Sequence, residues 1–596
     1  MSTVTRLRIV ALVLSLCVAP SFAAQQTTVA PASAPSAQFK TLADETQKFQ
    51  RERPPSSPVP AGTDARYRER MPVVSEKYVQ ERAARARALL DRLKAIDTAT
   101  LTTAEQLDAF IVKDRLEKVV ADATFKTYLV PVSDDGGFYS QFASDVNQRA
   151  FNTVADYDIY IARLQSFKEH TAAQIAMMRL GLASGNTLPG PSMAPTYEQS
   201  LRQYVVDAVD KSPFYAPLQK IPDSVAAADR ERIQRDGTAA IRDSVLPAYR
   251  ELVTFMTSDY LPKVRKTAGL SDVPGGREYY EWLVKHYTTL DITPKEVHEI
   301  GLKEVARLRA EMQTVITKSG YKGSFADFLQ FLRTDPKFYV TDPQQYIKEA
   351  SFIALRMQGQ LPRLFKKLPE TPMGIRPFPD TPASLRGTGA NYGVGQPGQR
   401  AGYYNLNLTA IKSRPLYILE ALTFHEGIPG HHLQIMLHYE NKDITDLRRQ
   451  ADVTAFVEGW ALYAERLGLE VGFYTDPYSD FGRLTYEIWR ACRLVVDTGM
   501  HAFGWTRQRA IDYMTENTAL SVHEVTTEVD RYIRSRGQAL AYKMGELRIT
   551  AARKRAEQTL GNKFDVREFH NAVLKNGSIP LSFLDRQVDE WIKTVQ

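Results

Sequence analysis

The chain has 596 residues, of which 43% are hydrophobic and 24% are charged. This composition is typical of a globular protein with a large buried core. The formal net charge is +7, a small excess for this length, and the sequence contains no dense run of lysine and arginine. These features exclude nucleic acid as the expected partner.

The first 24 residues have the pattern of a secretory signal peptide. Two arginines precede an apolar stretch at 9–18, and Ser21 and Ala23 are the small residues of a cleavage site. The apolar stretch is shorter than the roughly 20 residues that a permanent membrane span needs. Lipid attachment at Cys17 is the alternative, disfavoured because bulky Leu16 precedes the cysteine. We therefore expect an exported protein, periplasmic or secreted. Its mature form would keep only Cys492 and form no internal disulfide.

Residues 25–66 are rich in proline, serine, alanine and threonine, which predicts a flexible tether with at most a short helix at 39–51. From residue 67 onward, apolar residues recur at three- and four-residue spacing, so we predict a single large helical domain over 67–596. The clearest helical segments are 78–95, 104–123, 154–182, 225–261 and 294–319.

One segment has the alternation of a β-strand. In residues 402–408, Tyr404, Leu406 and Leu408 alternate with other side chains, directly downstream of a glycine-rich loop. The predicted fold class is therefore mainly α, with a small β element next to the histidine motif that follows. Tyr403, Tyr404 and Asn405 could line an edge strand that pairs with an extended peptide, or could simply pack against the next helix.

The motif that indicates chemistry is His-Glu-Gly-Ile-Pro-Gly-His-His at 425–432. A histidine and glutamate followed shortly by another histidine is typical of a zinc site that activates water. In a straight helix, however, His431 would lie about 120° away from His425, and His432 would lie about 10.5 Å along the axis. Neither could share an ion with His425 unless the helix is interrupted.

Residues between the histidines predict such an interruption. Pro429 lacks an N–H group and would clash with the carbonyl of His425 in a continuous helix, and Gly427 and Gly430 tolerate non-helical backbone angles. If two residues loop out, His431 becomes the second ligand; if three loop out, His432 does. We favour His431 and keep His432 as the alternative. A helix-ending turn with solvated histidines is the third interpretation.

A zinc site also needs a third ligand and a base. Glu426 is the natural general base, since it lies beside the predicted ion and not on it. Glu458, which flanks an apolar stripe on a downstream helix, is the best candidate for the third ligand. Spacing alone does not separate it from Glu440, Asp452 or Glu465.

Four blocks of the sequence resemble the bacterial family called domain of unknown function 885, which is grouped with gluzincin-type zinc peptidases. They are HEGIPGHHLQ at 425–434, FVEGWALYAE at 456–465, RLVVDTGMH at 493–501 and GQALAYKMG at 537–545. The resemblance extends over nearly all of the chain after the tether. It implies a mostly helical, zincin-like fold in which a following helix supplies a glutamate ligand, which falls on Glu458. One departure is Arg536, where a proline is expected.

Further polar residues are candidates for supporting roles. Asp497 and His501 lie one helical turn apart, so that a carboxylate could orient the imidazole, or both could be a packed polar pair. Tyr542 and Tyr532 could donate a hydrogen bond to an oxyanion. Cys492 lies in an apolar helix and is expected to be a core residue.

The sequence thus predicts a periplasmic zinc metallopeptidase acting on a peptide or small protein. His425, His431 and Glu458 are the predicted zinc ligands, and Glu426, His501 and Tyr542 are the predicted catalytic residues. Two alternatives are a non-catalytic metal- or peptide-binding protein and a zinc hydrolase of another amide or ester. The sequence does not indicate whether cleavage is internal or terminal, nor the oligomeric state.

Overall fold

The computed structural model describes residues 34–133, 136–190, 200–378, 389–409 and 411–596. The predicted signal peptide and Cys17 lie outside the described residues. The fold is mainly helical with a small sheet, as predicted. No helix of the described ranges is long and apolar enough to cross a bilayer.

The helices of eight residues or more in these ranges are numbered along the chain. The first ten are α1 (Ala34–Arg51), α2 (Glu76–Lys94), α3 (Thr103–Thr124), α4 (Phe138–Gln148), α5 (Val154–Ser184), α6 (Ala227–Ala240), α7 (Leu246–Thr254), α8 (Gly276–Thr288), α9 (Pro294–Lys318) and α10 (Phe325–Thr334). The next ten are α11 (Pro343–Gln358), α12 (Leu419–Glu426), α13 (His431–Glu440), α14 (Thr454–Leu467), α15 (Pro477–Phe503), α16 (Arg507–Asn517), α17 (Val522–Arg534), α18 (Leu540–Leu560), α19 (Val566–Leu574) and α20 (Leu581–Val595). Shorter α-helices lie at Ala216–Gln219, Leu361–Leu364 and Asp446–Arg449.

Four of the five helical segments predicted from periodicity agree with α2, α3, α5 and α9 to within a few residues. The fifth, 225–261, consists of α6 and α7 joined and followed by π-helical turns at Ile241–Val245 and Phe255–Tyr260. Helix α9 begins as its sequence predicts. Thr293 accepts a hydrogen bond from the Glu296 backbone N–H, and the Glu296 carboxylate caps Thr293 in return.

The strands form two small sheets. Strands β1 (Val132–Ser133) and β2 (Gly136–Gly137) make a short antiparallel pair, and β3 (Met373–Pro377), β4 (Ala390–Gly393) and β5 (Gly402–Leu406) make a sheet of order β3-β5-β4. Strand β5 runs parallel to β3 and antiparallel to β4. The predicted strand therefore exists, but it is central and not an edge, because both of its sides already pair. The prediction that Tyr403, Tyr404 and Asn405 line an edge strand open to a peptide is therefore wrong.

The segment predicted to be a tether is packed against the body of the protein where the structure describes it. Helix α1 buries Phe39, Leu42 and Phe49 against side chains of α2 and α3, and the backbone of Ser57 bonds to that of Met71. These apolar side chains recur at helical spacing, and their burial outweighs the polar composition around them. Residues 34–66 are thus part of the fold.

The helices next to the histidine motif cross at very short range. A Cβ atom added to Gly545 on α18 would lie 1.9 Å from the carbonyl oxygen of Ala455 on α14, and one added to Gly459 would lie 2.5 Å from the backbone of Gly545. The two helices can approach this closely only because both positions lack a side chain. This crossing holds Tyr542 beside the helix that carries Glu458.

Candidate metal centre

The helix is interrupted between His425 and His431, as the sequence predicts. Helix α12 ends at Glu426 and α13 begins at His431. The Ile428–Pro429 peptide bond is cis, and the indole N–H of Trp460 donates to the Pro429 carbonyl at 2.9 Å. A Cβ on Gly430 would lie 2.0 Å from the His425 carbonyl oxygen, so only glycine allows the chain to fold back this tightly.

The interruption brings three side chains to one point. Glu458 Oε2 lies 3.5 Å from His425 Nε2 and 3.4 Å from His431 Nε2. The ligand atoms of all three residues lie within 4.8 Å of one another. Two ligands at about 2.0–2.1 Å from one tetrahedral zinc ion would be about 3.3–3.4 Å apart. The arrangement therefore has the dimensions of a three-residue metal site.

His432, the alternative second ligand, points elsewhere. Its Nδ1 lies 3.0 Å from the hydroxyl of Tyr392 on β4, and the ring is buried. Burial lowers the pKa of His432 to about 4, so the ring is neutral at ordinary pH. His431 and not His432 joins the cluster.

The other three acids that the sequence offers as a third ligand lie outside the ligand group. Glu440 accepts hydrogen bonds from the backbone N–H groups of Glu370 and Thr371. Asp452 is exposed and is not part of the ligand group. Glu465 is buried and its Oε1 lies 2.8 Å from His425 Nδ1. It orients the imidazole from behind and leaves Nε2 directed at the cluster. Sequence reasoning missed this role.

A signal for the role of Glu465 was present in the sequence. Glu465 follows Glu458 by seven residues, which is two helical turns and therefore the same face of α14. One acid of such a pair can lie at the ion while the other supports a histidine behind it. The hydroxyl of Tyr474 donates to the Glu465 backbone carbonyl at 2.7 Å, which fixes the end of this helix.

The electrostatics of the cluster favour a bound cation. Burial opposes ionisation of Glu458, but His431 and His425 outweigh it and hold the pKa of that carboxyl well below its usual range. Burial likewise lowers the pKa of His425, whereas its hydrogen bonds with Glu458 and Glu465 raise it, with a net value of about 9. Glu458 Oε2 is buried and faces two imidazole nitrogens at 3.4–3.5 Å. The carboxylates of Glu458 and Glu465 thus lie on opposite nitrogens of the His425 ring, and two imidazoles with one carboxylate are donors that fit zinc.

Glu426, the predicted base, is directly adjacent to the first histidine. Its side chain is partly exposed, and no hydrogen bond or ion pair to it is found in the part of the chain that the structure describes. A carboxylate that is neither bonded nor fully buried is available to exchange protons with a solvent molecule.

Tyr542, which the sequence predicts as an oxyanion donor, lies near the ligand residue His425. Its ring is nearly parallel to that of His425, at 11° and 6.3 Å between centroids. Its hydroxyl accepts a hydrogen bond from Arg531 Nη2 at 3.1 Å, so the hydroxyl proton remains available to another acceptor. Tyr532, by contrast, donates to Glu528 and accepts from Trp489 and Arg493, and is part of the packed interior.

The predicted pair of Asp497 and His501 does not form. Asp497 accepts hydrogen bonds from the Tyr280 hydroxyl and the Gly537 backbone N–H, whereas His501 Nε2 donates to the backbone carbonyl of Tyr532. Both residues are fully buried, and burial lowers the pKa of His501 to about 3. Both side chains are thus held in the packed interior, and the catalytic role of His501 stays a prediction.

Cys492 is fully buried in α15, as expected of a core residue. Burial raises the pKa of its thiol far above the ordinary value. The thiolate that a nucleophile requires is therefore not formed at this position.

Comparison with known proteins extends over almost the whole chain. The sequence matches the family model described as "Bacterial protein of unknown function (DUF885)" over residues 55–588. The structure is similar to that of a "putative lipoprotein" from Colwellia psychrerythraea, with 27% identity and a TM-score of 0.79, covering 94% of this chain and 97% of that chain. It also shares its fold with a protein of the same description, "of unknown function", from Shewanella oneidensis, with 18% identity and a TM-score of 0.71, covering 93% and 99%. Among curated proteins none matches the sequence.

Proposed function

The chain belongs to the DUF885 family of bacterial proteins of unknown function, and we propose that it is a zinc-dependent hydrolase that cleaves peptide bonds. The observation that carries this proposal is the convergence of His425, His431 and Glu458, whose ligand atoms lie within 4.8 Å of one another. An available glutamate, Glu426, directly follows the first ligand. A protein that only bound metal would have no use for a base at that position.

Each residue of the site has its own role in the proposed reaction. His425, His431 and Glu458 would hold the ion, which when bound supplies Lewis acidity to water and to the substrate carbonyl. Glu426 accepts a proton from the attacking water and returns it to the leaving amine nitrogen. Tyr542 donates its free hydroxyl proton to the carbonyl oxygen as negative charge develops there.

The edge of the small sheet supports a place for the peptide. Strand β4 pairs with β5 on one side, and within the described ranges no strand pairs with its other side. Tyr392 on β4 bonds to His432, the residue next to His431, so this edge lies close to the cluster. An extended substrate could add to β4 by main-chain hydrogen bonds.

Export to the periplasm is part of the proposal. The signal-peptide pattern at the start of the chain supports it, and the two similar structures are each described as a "putative lipoprotein". That description keeps lipid attachment at Cys17 as an alternative to a free periplasmic form.

The test compares the wild-type protein with Glu426→Gln. Wild-type protein purified without chelator should contain about one zinc per chain by elemental analysis and cleave peptides in a defined library. The variant should keep its zinc and lose turnover by about 1,000-fold or more, because the base is gone while the ligands remain. Unchanged hydrolysis by the variant, or wild-type protein that binds zinc and cleaves no peptide, would contradict the proposal.

A further inference from the structure

Two arginines contact the side chain of Tyr542. Arg531 Nη2 bonds to the Tyr542 hydroxyl, and the guanidinium of Arg493 lies 4.3 Å from the centre of the Tyr542 ring. Since that ring is 6.3 Å from the ring of His425, both cations are neighbours of the metal-ligand cluster. The proposed reaction gives neither of them a role.

The negative charge nearby does not balance these cations. Glu528 is the acid they share: its Oε2 accepts from Arg493 Nη2 at 2.9 Å, and its Oε1 lies 3.5 Å from Arg531 Nη1. The next acid on the same helix, Glu524, lies 3.8 Å from Arg414, and burial raises its pKa to about 7. Within ion-pair distance, the two guanidinium groups share the single carboxylate of Glu528 among the described residues, which leaves one positive charge over at that range.

One donor of this pair has no partner. The Arg493 side chain is 2% exposed, and its Nη1 is buried without a hydrogen bond in the described part of the chain. Burying a charged N–H group unpaired destabilises a fold. The side chain of Arg531 is 21% exposed, so the same cluster is open to a ligand from outside.

Resting on the proposed function, we propose that Arg531 and Arg493 form an anion subsite that binds the C-terminal carboxylate of the peptide substrate. A guanidinium pairs with a carboxylate through parallel hydrogen bonds, and the surplus positive charge selects an anion. The substrate class is therefore peptides with a free C-terminus, cleaved near that end. A side-chain carboxylate of the substrate carries the same group, and the experiment separates the two sources.

Binding is measured first, without turnover. Zinc-loaded Glu426→Gln protein is titrated in a calorimeter with a short peptide acid, with the same peptide as its C-terminal amide, and with an amidated peptide that carries glutamate as its last residue. The peptide acid should bind about tenfold or more tightly than the plain amide, as for a hydrogen-bonded charge. Tighter binding of the amidated glutamate peptide alone would assign the subsite to a side chain and overturn the proposal.

Variants then locate the subsite. Arg531→Gln should bring the ratio of kcat/KM for acid over amide close to 1, and Arg531→Lys should restore part of the ratio. The ratio is the readout, because Arg531 also bonds to the Tyr542 hydroxyl and its loss can slow both peptides. Arg548→Gln is the matched control: that arginine lies on α18, is 44% exposed and pairs with Asp585, and its loss should leave the ratio unchanged. The wild-type acid-to-amide ratio needs no variant, so a folding defect in Arg531→Gln cannot hide the result.

The two proposals fail in different ways. If wild-type protein cleaves acid and amide peptides equally well, the subsite is excluded while the peptidase stands. The subsite is also excluded if Arg531→Gln slows both peptides by the same factor. If no peptide of either kind is cleaved although zinc is bound, the proposed function itself has failed.

Discussion

Two adjacent histidines have opposite roles in this protein. In a helix, the side chains of neighbouring residues diverge by about 100°. Only one of the two rings can therefore face His425. His431 faces Glu458 at 3.4 Å, whereas His432 bonds to Tyr392 on the sheet. The sequence predicted an interruption of the helix and favoured His431. It kept His432 as the alternative, because the number of residues that loop out does not follow from the sequence.

Alanine substitution at each position tests this assignment. His431→Ala should weaken zinc binding by more than the roughly 10–100-fold that follows loss of a residue orienting a ligand, because a direct ligand is removed. His432→Ala should keep close to one zinc per chain. Zinc content after dialysis and competition with a chromogenic chelator measure both; the reverse pattern would make His432 the ligand.

The carboxyl of Asp497 makes the free energy of unfolding depend on pH. Burial raises the pKa of this carboxyl to about 7 from 3.8, so the folded protein binds a proton that the unfolded chain releases between these values. The stabilising contribution of the protonated carboxyl is complete below pH 3.8 and is lost as the pH rises to about 7. At higher pH the buried carboxylate is held only by its hydrogen bonds from Tyr280 and Gly537 and by the charge of Arg493.

Asp497→Asn should remove this effect, since the amide oxygen can still accept from Tyr280 and Gly537. The free energy of unfolding of the variant, relative to wild type, should increase by on the order of 2 kcal/mol between pH 5 and pH 8. Urea unfolding across that range gives the difference curve. Asp512→Asn, at an exposed position, is the control for the substitution itself. A flat curve for Asp497→Asn would show that the Asp497 carboxyl is ionised throughout.

At the scale of elements, the sequence predicted what depends on local pattern and failed where partners decide. Apolar spacing was sufficient for α2, α3, α5 and α9, and Pro429 was sufficient for the end of α12. Strand β5 was predicted as a strand but taken as an edge, because the strands β3 and β4 that cover its sides have no clear alternation of their own. Glu465 was missed as a support for His425, since that contact exists only once α12 and α14 are packed together.

The crossing of α14 and α18 is the contact between elements on which the site depends most. Gly545→Ala would place a Cβ within 1.9 Å of the Ala455 carbonyl oxygen, so the helices must separate. Overpacking of this kind costs about 1–3 kcal/mol, and here it also shifts Tyr542, three residues away, from His425. We expect a lower urea midpoint together with slower peptide cleavage at unchanged zinc content.

Gly359→Ala is the control for that substitution. A Cβ at this position would have its nearest neighbour at 3.5 Å, an ordinary contact, so the midpoint should change little. If Gly545→Ala were as stable and as active as this control, the close crossing would have no part in positioning the site.

At the scale of the whole molecule, composition was a good guide to the body of the protein and a poor one to its beginning. The large apolar fraction is accounted for by a core that runs through α5, α9, α14 and α15. Residues 34–66 were expected to be a tether because polar and proline residues dominate them, yet three buried side chains attach α1 to the fold. A few apolar positions at helical spacing thus decide the outcome against the average of a segment.

Because α1 is packed into the fold, the residue at which the mature chain begins decides how much chain precedes the folded part. If the mature chain starts near residue 25, only a short segment precedes the packed helix, and the protein is free in the periplasm. We expect expression in a Gram-negative host to yield periplasmic protein whose intact mass corresponds to cleavage after residue 23 or 24. Cys17→Ser should then be processed and released in the same way, because the cysteine leaves with the signal peptide. A mature chain that begins at Cys17, carries the added mass of acyl groups and sediments with membranes unless Cys17 is replaced would instead show that the protein is lipid-anchored.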